Sequence, residues 1–460
     1  MSDNVGEEGR EPVRAPVAGR YDGLMQGALL GFRRWGGSTF EALSVRNFRI
    51  FYIGQGASLT GSWMRRTALG WLVFLLTGSY ELLGLVMGLT MLPLFLLAPL
   101  AGSIADRVDK RKMIIATQLG AAACSALLAV LVATDNAQVW QVMVLAFLGG
   151  VAFAFEIPSR QAFVAELVGK DRLMNAIALN SALVNGARVI GPAVAGVLMG
   201  LVGVAACFAI DAITYLIVTG TLMSLKLPRF LKSREPIDRI AHLIGGLHEV
   251  RRNRPVRLVL ILLFFTACFG WSFITLLPAI AQEELHLGET QYGFLMAAFG
   301  VGAVVSALIV ASQKGGGCAR RQLFVGIWTM MVGLFIFSAV RGFVLPMGAM
   351  VLAGGGAVMF VSTGNTVVQM AVADDIRGRI MGIWALTFGG SMPLGAWLSG
   401  QSAALIDPFS TIALFAVIVS VASVVIFPHF PAALALNGQS TCGDGRAKPP
   451  VPAKEEVRAA

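Results

Sequence analysis

The amino-acid sequence predicts an all-α membrane protein with twelve transmembrane helices. Of its 460 residues, 56% are hydrophobic and only 13% are charged, a composition too apolar for an ordinary soluble domain. Twelve apolar segments reach about 20 residues or more, the length that crosses roughly 30 Å of hydrocarbon. Lys and Arg are concentrated in alternate loops between these segments, as in multi-pass proteins.

A long basic loop divides the segments into two sets of six. The predicted parts are a tail (1–44), a first bundle (45–225), a linker (226–256), a second bundle (257–429) and a second tail (430–460). Isoleucines at helical spacing beside arginines predict an amphipathic linker helix on the inner leaflet. The approximate segment bounds are 48–77, 81–105, 113–134, 138–163, 173–200, 203–225, 257–281, 290–312, 322–341, 343–368, 378–402 and 405–428.

The distribution of basic residues predicts the orientation. Placing both termini in the cytoplasm puts almost all loop Lys and Arg inside, and leaves Arg341 outside among several acidic residues. We therefore expect a multi-pass protein of the bacterial inner membrane, in contact with the lipid bilayer. The net charge of +10 is then an orientation signal, so no nucleic acid partner is expected.

The sequence lacks the motifs of several kinds of functional site. The five cysteines are scattered without a C-x-x-C pair, which argues against a disulfide framework or a zinc site. No phosphate-binding G-x-x-x-x-G-K-[ST] loop and no H-E-x-x-H motif occurs. We expect no metal, no cofactor, no ATP-driven step and no enzymatic activity.

A polar stripe runs along the first segment. At 100° per residue, Gln55, Ser58, Ser62, Arg65 and Arg66 fall within an arc about 100° wide. Ionisable residues inside a membrane segment are costly, so they are candidates for function. The stripe is a candidate functional surface, or else its arginines pair with internal carboxylates or extend to the interface.

Two further sets of ionisable residues lie in the first half. Glu156 and Arg160 have the i, i+4 spacing of a helical ion pair, next to Pro158, which bends the helix. Glu156 is the first candidate for proton coupling, and a static pair is the alternative. Arg188 and Asp211 have matching predicted depths, so they are expected to form a buried pair or to share in proton coupling.

The second half contributes fewer polar residues. Trp271, Ser272, Asn365, Gln369 and Trp384 are candidates for lining a cavity with aromatic and hydrogen-bonding surface, or for simple packing.

The charged stretch between the second and third segments resembles a motif of a known family. It reads G-S-I-A-D-R-V-D-K-R-K over residues 102–112 and resembles the signature loop of the major facilitator superfamily. Gly102, Asp106, Arg107 and Arg111 match that pattern, whereas Asp109 stands where glycine is usual. The resemblance implies a secondary transporter of two six-helix bundles, in which this stretch acts as a conformational switch or only fixes topology.

The fifth segment carries a second resemblance. It reads N-A-I-A-L-N-S over 175–181 and A-R-V-I-G-P-A-V-A-G over 187–196, which is similar to the drug and siderophore export branch of that superfamily. Gly191, Pro192 and Gly196 match its antiporter motif, and Ala187 and Ala195 depart from it. Small residues here favour close helix packing. The chain resembles the enterobactin-exporter and macrolide-efflux type over about residues 45–428.

That resemblance implies a proton-coupled exporter of small amphipathic molecules, acting as a monomer by alternating access. Its implied substrate path includes Arg65 or Arg66. Alternatives are a lysophospholipid or other lipid translocator of the same fold, a polytopic membrane enzyme, or a transporter-like receptor.

Overall fold

The computed structural model describes residues 41–169, 171–225, 239–312 and 318–430. The predictions made for the two tails and for most of the linker lie outside these residues. Within the described ranges the first half contains six long helices. They are α1 (Arg46–Thr77), α2 (Tyr80–Arg107), α3 (Lys110–Ala133), α4 (Val139–Val168), α5 (Leu173–Val202) and α6 (Val204–Ser224).

The second half follows a short linker helix, α7 (Arg239–Arg252). Its first crossing is interrupted, because α8 (Arg254–Phe265) and α9 (Phe273–Ala279) are separated by a π-helical stretch at Thr266–Gly270 and followed by another at Ile280–Glu284. The five remaining helices are α10 (Glu289–Ser312), α11 (Ala319–Ala339), α12 (Val344–Met370), α13 (Asp374–Ile406) and α14 (Pro408–Ile426).

Ten helical segments of the described chain are long and apolar enough to cross a membrane by length and composition. The other two long helices, α1 and α13, carry more polar and charged residues within the helix, such as Arg65 and Arg66 in α1. Successive helices run in opposite directions, so alternate helix ends meet. We call one end the basic end, which carries Lys110, Arg172, Arg254, Arg320 and Arg377 at or beside helix starts, and the other the opposite end.

The two halves meet mainly through two helix pairs, α2 with α13 and α5 with α10. Glycines allow both close approaches. A Cβ added at Gly196 would lie 2.8 Å from the Cα of Gly293, and one at Gly84 would lie 2.9 Å from the Cα of Gly400. These contacts lie in the half of each helix that is farther from the basic end, so the halves are closed together there.

The linker helix α7 packs against α13. A Cβ added at Gly246 would lie 2.9 Å from the Cδ1 of Ile383 and 3.4 Å from the Cβ of Arg379. The amphipathic pattern predicted a helix here, but the protein surface of α13 covers part of it.

The charged stretch 102–112 is mostly helical. α2 extends to Arg107 and α3 begins at Lys110, which leaves only Val108 and Asp109 as the turn. The Asp109 carboxylate accepts hydrogen bonds from the backbone N–H groups of Arg111 and Lys112, at 2.9 and 3.3 Å. Aspartate therefore replaces the usual glycine as the N-cap of α3.

The Arg111 guanidinium extends from this turn to α6. Its Nη2 donates to the backbone oxygen of Met223 at 2.8 Å, which satisfies a carbonyl at the C-terminal end of α6. Gly102 is buried, and Arg107 is exposed.

The cysteines divide into two kinds. Cys124, Cys207 and Cys268 are free, as expected for small residues within apolar helices. Cys318 is disulfide-bonded, whereas the scattered spacing of the cysteines argued against a disulfide framework.

Candidate functional site

A cavity of about 160 Å³ lies between the two halves. Its walls come from α1 and α2 in the first half, and from α9, the chain just before it, α10 and α13 in the second half. Four methionines, Met87, Met91, Met296 and Met392, form much of its surface. Methionine is flexible and polarisable, which suits a surface that contacts apolar molecules of different shapes.

Aromatic residues complete the cavity. Tyr292 stacks on Trp71 with ring centres 5.3 Å apart, and its hydroxyl donates to the backbone oxygen of Thr67 at 3.3 Å. This contact ties α10 to α1 beside the cavity. Trp271, as predicted from the sequence, lines the cavity, and it packs edge-on against Phe299 and Phe388.

Arg66 is the charged residue in the cavity wall. Its guanidinium carbon lies 5.3 Å from the ring centre of Trp63 and 4.8 Å from that of Phe153. Its Nε is buried without a hydrogen-bond partner, and no described carboxylate lies within 4.0 Å. Cation–π contacts are therefore the main compensation for this charge.

Arg188 approaches the same tryptophan from α5. Its guanidinium carbon is 5.3 Å from the ring centre of Trp63 and 6.0 Å from that of Trp271. Its Nη1 donates to Asn185 Oδ1 at 3.4 Å, and its Nε is buried without a partner. Arg188 thus lies toward the junction of the two halves.

Asp211 does not pair with Arg188, which corrects the prediction. It is fully buried, and its Oδ2 lies 3.1 Å from Arg65 Nε and accepts a hydrogen bond from Ser125 Oγ at 2.7 Å. Matching depths could not decide the partner, because depth leaves the direction around each helix axis undetermined. Asp211 contacts Arg65 on α1 and Ser125 on α3, whereas Arg188 lies against Trp63 and Trp271.

Gly61 leaves room for this carboxylate. A Cβ added at Gly61 would lie 2.9 Å from Asp211 Oδ1, an oxygen that has no hydrogen-bond partner. The neighbouring hydroxyls of Ser62 and Tyr215 are 3.1 Å apart. Of the two adjacent arginines, Arg65 is therefore held inside the first half by Asp211, and only Arg66 lines the cavity.

Glu156 lies on the inner side of α4, with 8% of its surface exposed. Its Oε1 is 3.6 Å from Arg160 Nε, and Arg160 Nη1 is buried without a partner. Glu156 and Arg160 therefore form a nearly buried ion pair within α4.

These charges do not cancel. The set contains four arginines (Arg65, Arg66, Arg160 and Arg188) and two carboxylates (Glu156 and Asp211), so two positive charges remain. Arg66 and Arg188, which both contact the ring of Trp63, are the two arginines without a carboxylate partner.

Of the other candidates, Ser272 also lines this cavity, whereas Gln55, Ser62, Asn365 and Gln369 do not. Gln55 is buried at 1% exposure with both amide atoms unpartnered. Asn365 and Gln369 bond to each other, with Gln369 Nε2 2.5 Å from Asn365 Oδ1. Helical periodicity predicts which face of its helix a residue occupies. It does not predict whether that residue lies at the depth of the cavity between the halves.

Gly191 and Gly196, the predicted packing residues, face two different helices. A Cβ added at Gly191 would lie 2.5 Å from Trp63 Cβ on α1, and Gly196 faces Gly293 on α10. Pro192 is buried within α5.

Ser125 and the methionines were missed from the sequence. Ser125 is the polar residue in an A-A-A-C-S-A run of α3, and its position there is the signal that could have found it. Methionines scattered over three helices, α2, α10 and α13, carry no such signal.

Two six-helix halves around a shared, mostly apolar cavity define a membrane transporter. The profile of the family described as transmembrane secretion effector matches residues 37–441. The chain belongs to this family, within the major facilitator superfamily, as its two motifs indicated.

Relatives and a solved structure agree with this assignment. The staphyloferrin A transporter of Staphylococcus aureus (strain NCTC 8325 / PS 47) is 24% identical over 377 residues, which cover 80% of this chain and 92% of that protein. Macrolide efflux protein A of Streptococcus pyogenes is 22% identical over 358 residues, or 76% and 88% of the two chains. A nucleoside transporter crystal structure shares the fold with a TM-score of 0.65 at 15% identity, covering 84% of this chain and 100% of that one.

Proposed function

We propose that this protein is a proton-coupled exporter of small amphipathic organic molecules that works by alternating access as a monomer in a bacterial inner membrane. The observation that carries the proposal is the cavity between the halves, whose wall combines methionine and tryptophan side chains with the Arg66 guanidinium. An apolar surface with few polar groups suits an amphipathic solute. Efflux is proposed as the activity because the family is described as transmembrane secretion effector and one relative is a macrolide efflux protein.

The closure of the halves at the opposite end supports alternating access. Gly196 against Gly293 and Gly84 against Gly400 bring backbones together there, so cargo cannot pass that end without separation of the halves. The cavity of about 160 Å³ is smaller than the roughly 300 Å³ at which drug-sized pockets begin. A larger cargo therefore requires the halves to move apart. With the basic end in the cytoplasm, as the loop charges indicate, loading occurs from inside.

Proton coupling is assigned to Glu156. It is nearly buried and paired with Arg160 at 3.6 Å. Protonation of this carboxylate releases Arg160 and changes the net charge inside the first half. A change of this kind biases a two-state element. Asp211 is the second candidate, a fully buried carboxylate held by Arg65 at 3.1 Å and by Ser125 at 2.7 Å.

Uptake by everted membrane vesicles tests this function. Vesicles that contain the protein receive an imposed pH gradient, acidic inside, and staphyloferrin A, a macrolide and a lysophospholipid are offered separately. The proposal expects gradient-dependent accumulation of the siderophore or the macrolide, which collapses when a protonophore is added. Accumulation of the lysophospholipid alone, or no accumulation of any of the three, contradicts it. Vesicles without the protein are the control.

A further inference from the structure

We infer that Arg66 and Arg188 form a two-arginine site for an anionic group of the cargo, with Trp63 and Trp271 contacting its apolar or aromatic body. The inference rests on the proposed function, since it specifies the chemistry of the molecule that the cavity admits. It concerns binding alone and makes no claim about protons.

The two guanidinium groups converge on one ring. Each guanidinium carbon lies 5.3 Å from the ring centre of Trp63, so the two carbons are at most twice that distance apart. A carboxylate or phosphate is a planar or tripod acceptor that bridges neighbouring guanidinium groups through charge-assisted hydrogen bonds. Arginine's fork of donors matches either of these anions.

Both arginines have donors that the protein leaves unused. The Nε atoms of Arg66 and Arg188 are buried without a partner, and neither residue lies within 4.0 Å of a carboxylate in the described residues. Buried charges are normally paired, because an isolated one is costly to remove from water. Two unpaired cations beside one tryptophan thus mark a place where an anion supplies the missing charge.

Trp271 adds a neutral donor to the same place. Its indole Nε1 is buried without a partner, and its ring lies 6.0 Å from the Arg188 guanidinium carbon and in the cavity wall. A buried indole N–H usually has an acceptor. An oxygen of the anionic group, or of a neighbouring substituent, would complete its hydrogen bonding.

Arg65 provides the internal contrast. It is adjacent to Arg66 in sequence, yet its Nε is 3.1 Å from Asp211, so its charge is already compensated. The anion site therefore comprises Arg66 and Arg188, and excludes Arg65. This assignment differs from the sequence-based one, which placed Arg188 with Asp211.

Equilibrium binding to purified full-length protein in lipid nanodiscs, without any gradient, tests the inference. The probes are 2-naphthoate, 2-naphthyl phosphate and the uncharged 2-naphthamide, which share one aromatic body. The wild type should bind at least one of the two anions about tenfold more tightly than the amide, as expected for hydrogen bonds to a charged group. Which anion binds more tightly distinguishes a carboxylate from a phosphate site.

Arg66→Met and Arg188→Met should each abolish the preference for the anion over the amide. Arg341→Met is the matched control, because Arg341 also lies over an aromatic ring, that of Phe409, but at the opposite end. It should retain the full preference. Equal binding of anion and amide by the wild type, no binding of either anion, or an anion preference that survives both substitutions overturns the inference.

A melting-temperature measurement keeps the test decisive if a variant behaves poorly. Arg66→Met and Arg188→Met should lower the melting temperature much less than Arg65→Met, because they remove charges that have no carboxylate partner. A loss as large as that of Arg65→Met would show that the arginine is structural and would overturn the site.

Failure of the anion-site inference can be distinguished from failure of the proposed function. A protein that accumulates cargo with a pH gradient but shows no anion preference loses only this inference, and one that binds the anion without gradient-driven uptake loses only the other.

Discussion

Arg65 Nε and Asp211 Oδ2 lie 3.1 Å apart and join α1 to α6 inside the first half. Ser125 Oγ completes the arrangement from α3, at 2.7 Å from the same carboxylate oxygen. One charged pair thus holds three helices, and it removes one of two adjacent arginines from the cavity. Arg66, one position further on, faces the cavity without a carboxylate.

Asp211→Ala should destabilise the protein strongly, because it leaves the buried Arg65 charge unpaired. Removing one partner of a buried ion pair costs on the order of 3 kcal/mol. The double variant Arg65→Met/Asp211→Leu removes both charges and should recover much of the loss. The melting temperature of each purified variant measures this, and a double variant less stable than Asp211→Ala would show that the pair is not the interaction at stake.

Glu156→Gln should abolish accumulation against a gradient while the protein remains in the membrane. The amide keeps the size of the side chain but cannot exchange a proton or form the 3.6 Å ion pair with Arg160. Glu166→Gln is the matched control, because Glu166 lies on the same helix and pairs with Lys110 at an exposed position. Both variants are compared by gradient-driven uptake into everted vesicles. Normal accumulation by Glu156→Gln would remove Glu156 from the coupling step.

Asp109→Ala should lower stability by about 1 kcal/mol, since the backbone N–H groups of Arg111 and Lys112 lose their acceptor. Asp109→Asn keeps a capping oxygen and should lose much less. Thermal unfolding of the two variants in detergent makes the comparison. Equal losses would indicate that the negative charge at the start of α3, rather than the hydrogen bonds, matters at this turn.

Gly196→Val should impair transport by preventing closure of the halves at the opposite end. Even a single Cβ would lie 2.8 Å from Gly293 Cα and 2.9 Å from the backbone oxygen of Thr290. Gly220→Val is the control, because a Cβ at Gly220 would meet no atom within 4 Å. Uptake rates should fall sharply for Gly196→Val alone. Equal rates for the two variants would mean that this contact is not closed during the cycle.

Much of the architecture could be predicted from the sequence, because lipid constrains it strongly. The twelve apolar segments predicted the number of helices, and the distribution of Lys and Arg predicted their orientation. The motifs at 102–112 and 187–196 indicated the superfamily. The cap at Asp109 was harder to predict, since only the structure shows which backbone groups its carboxylate meets.

The candidate site was predicted less completely. The polar stripe on α1 identified Arg65 and Arg66, but the sequence could not say which of them faced the cavity. Depth alone suggested Arg188 as the partner of Asp211, whereas the helix rotations bring Arg65 to it. Choosing a partner requires the relative rotation of packed helices, and packing between distant segments sets that rotation.

A reversible cross-link between the halves tests the central claim most directly. The threonine Cβ of Thr290 lies 3.9 Å from the Cβ position of Gly200, within the range of a disulfide, so Gly200→Cys/Thr290→Cys should cross-link α5 to α10 on oxidation in a cysteine-free background. Gly54→Cys/Thr221→Cys, 3.3 Å apart by the same measure and within one half, is the control. Oxidation should stop vesicle uptake only in the first pair, and a reductant should restore it. Undiminished uptake by the fully cross-linked first pair would contradict alternating access in this protein.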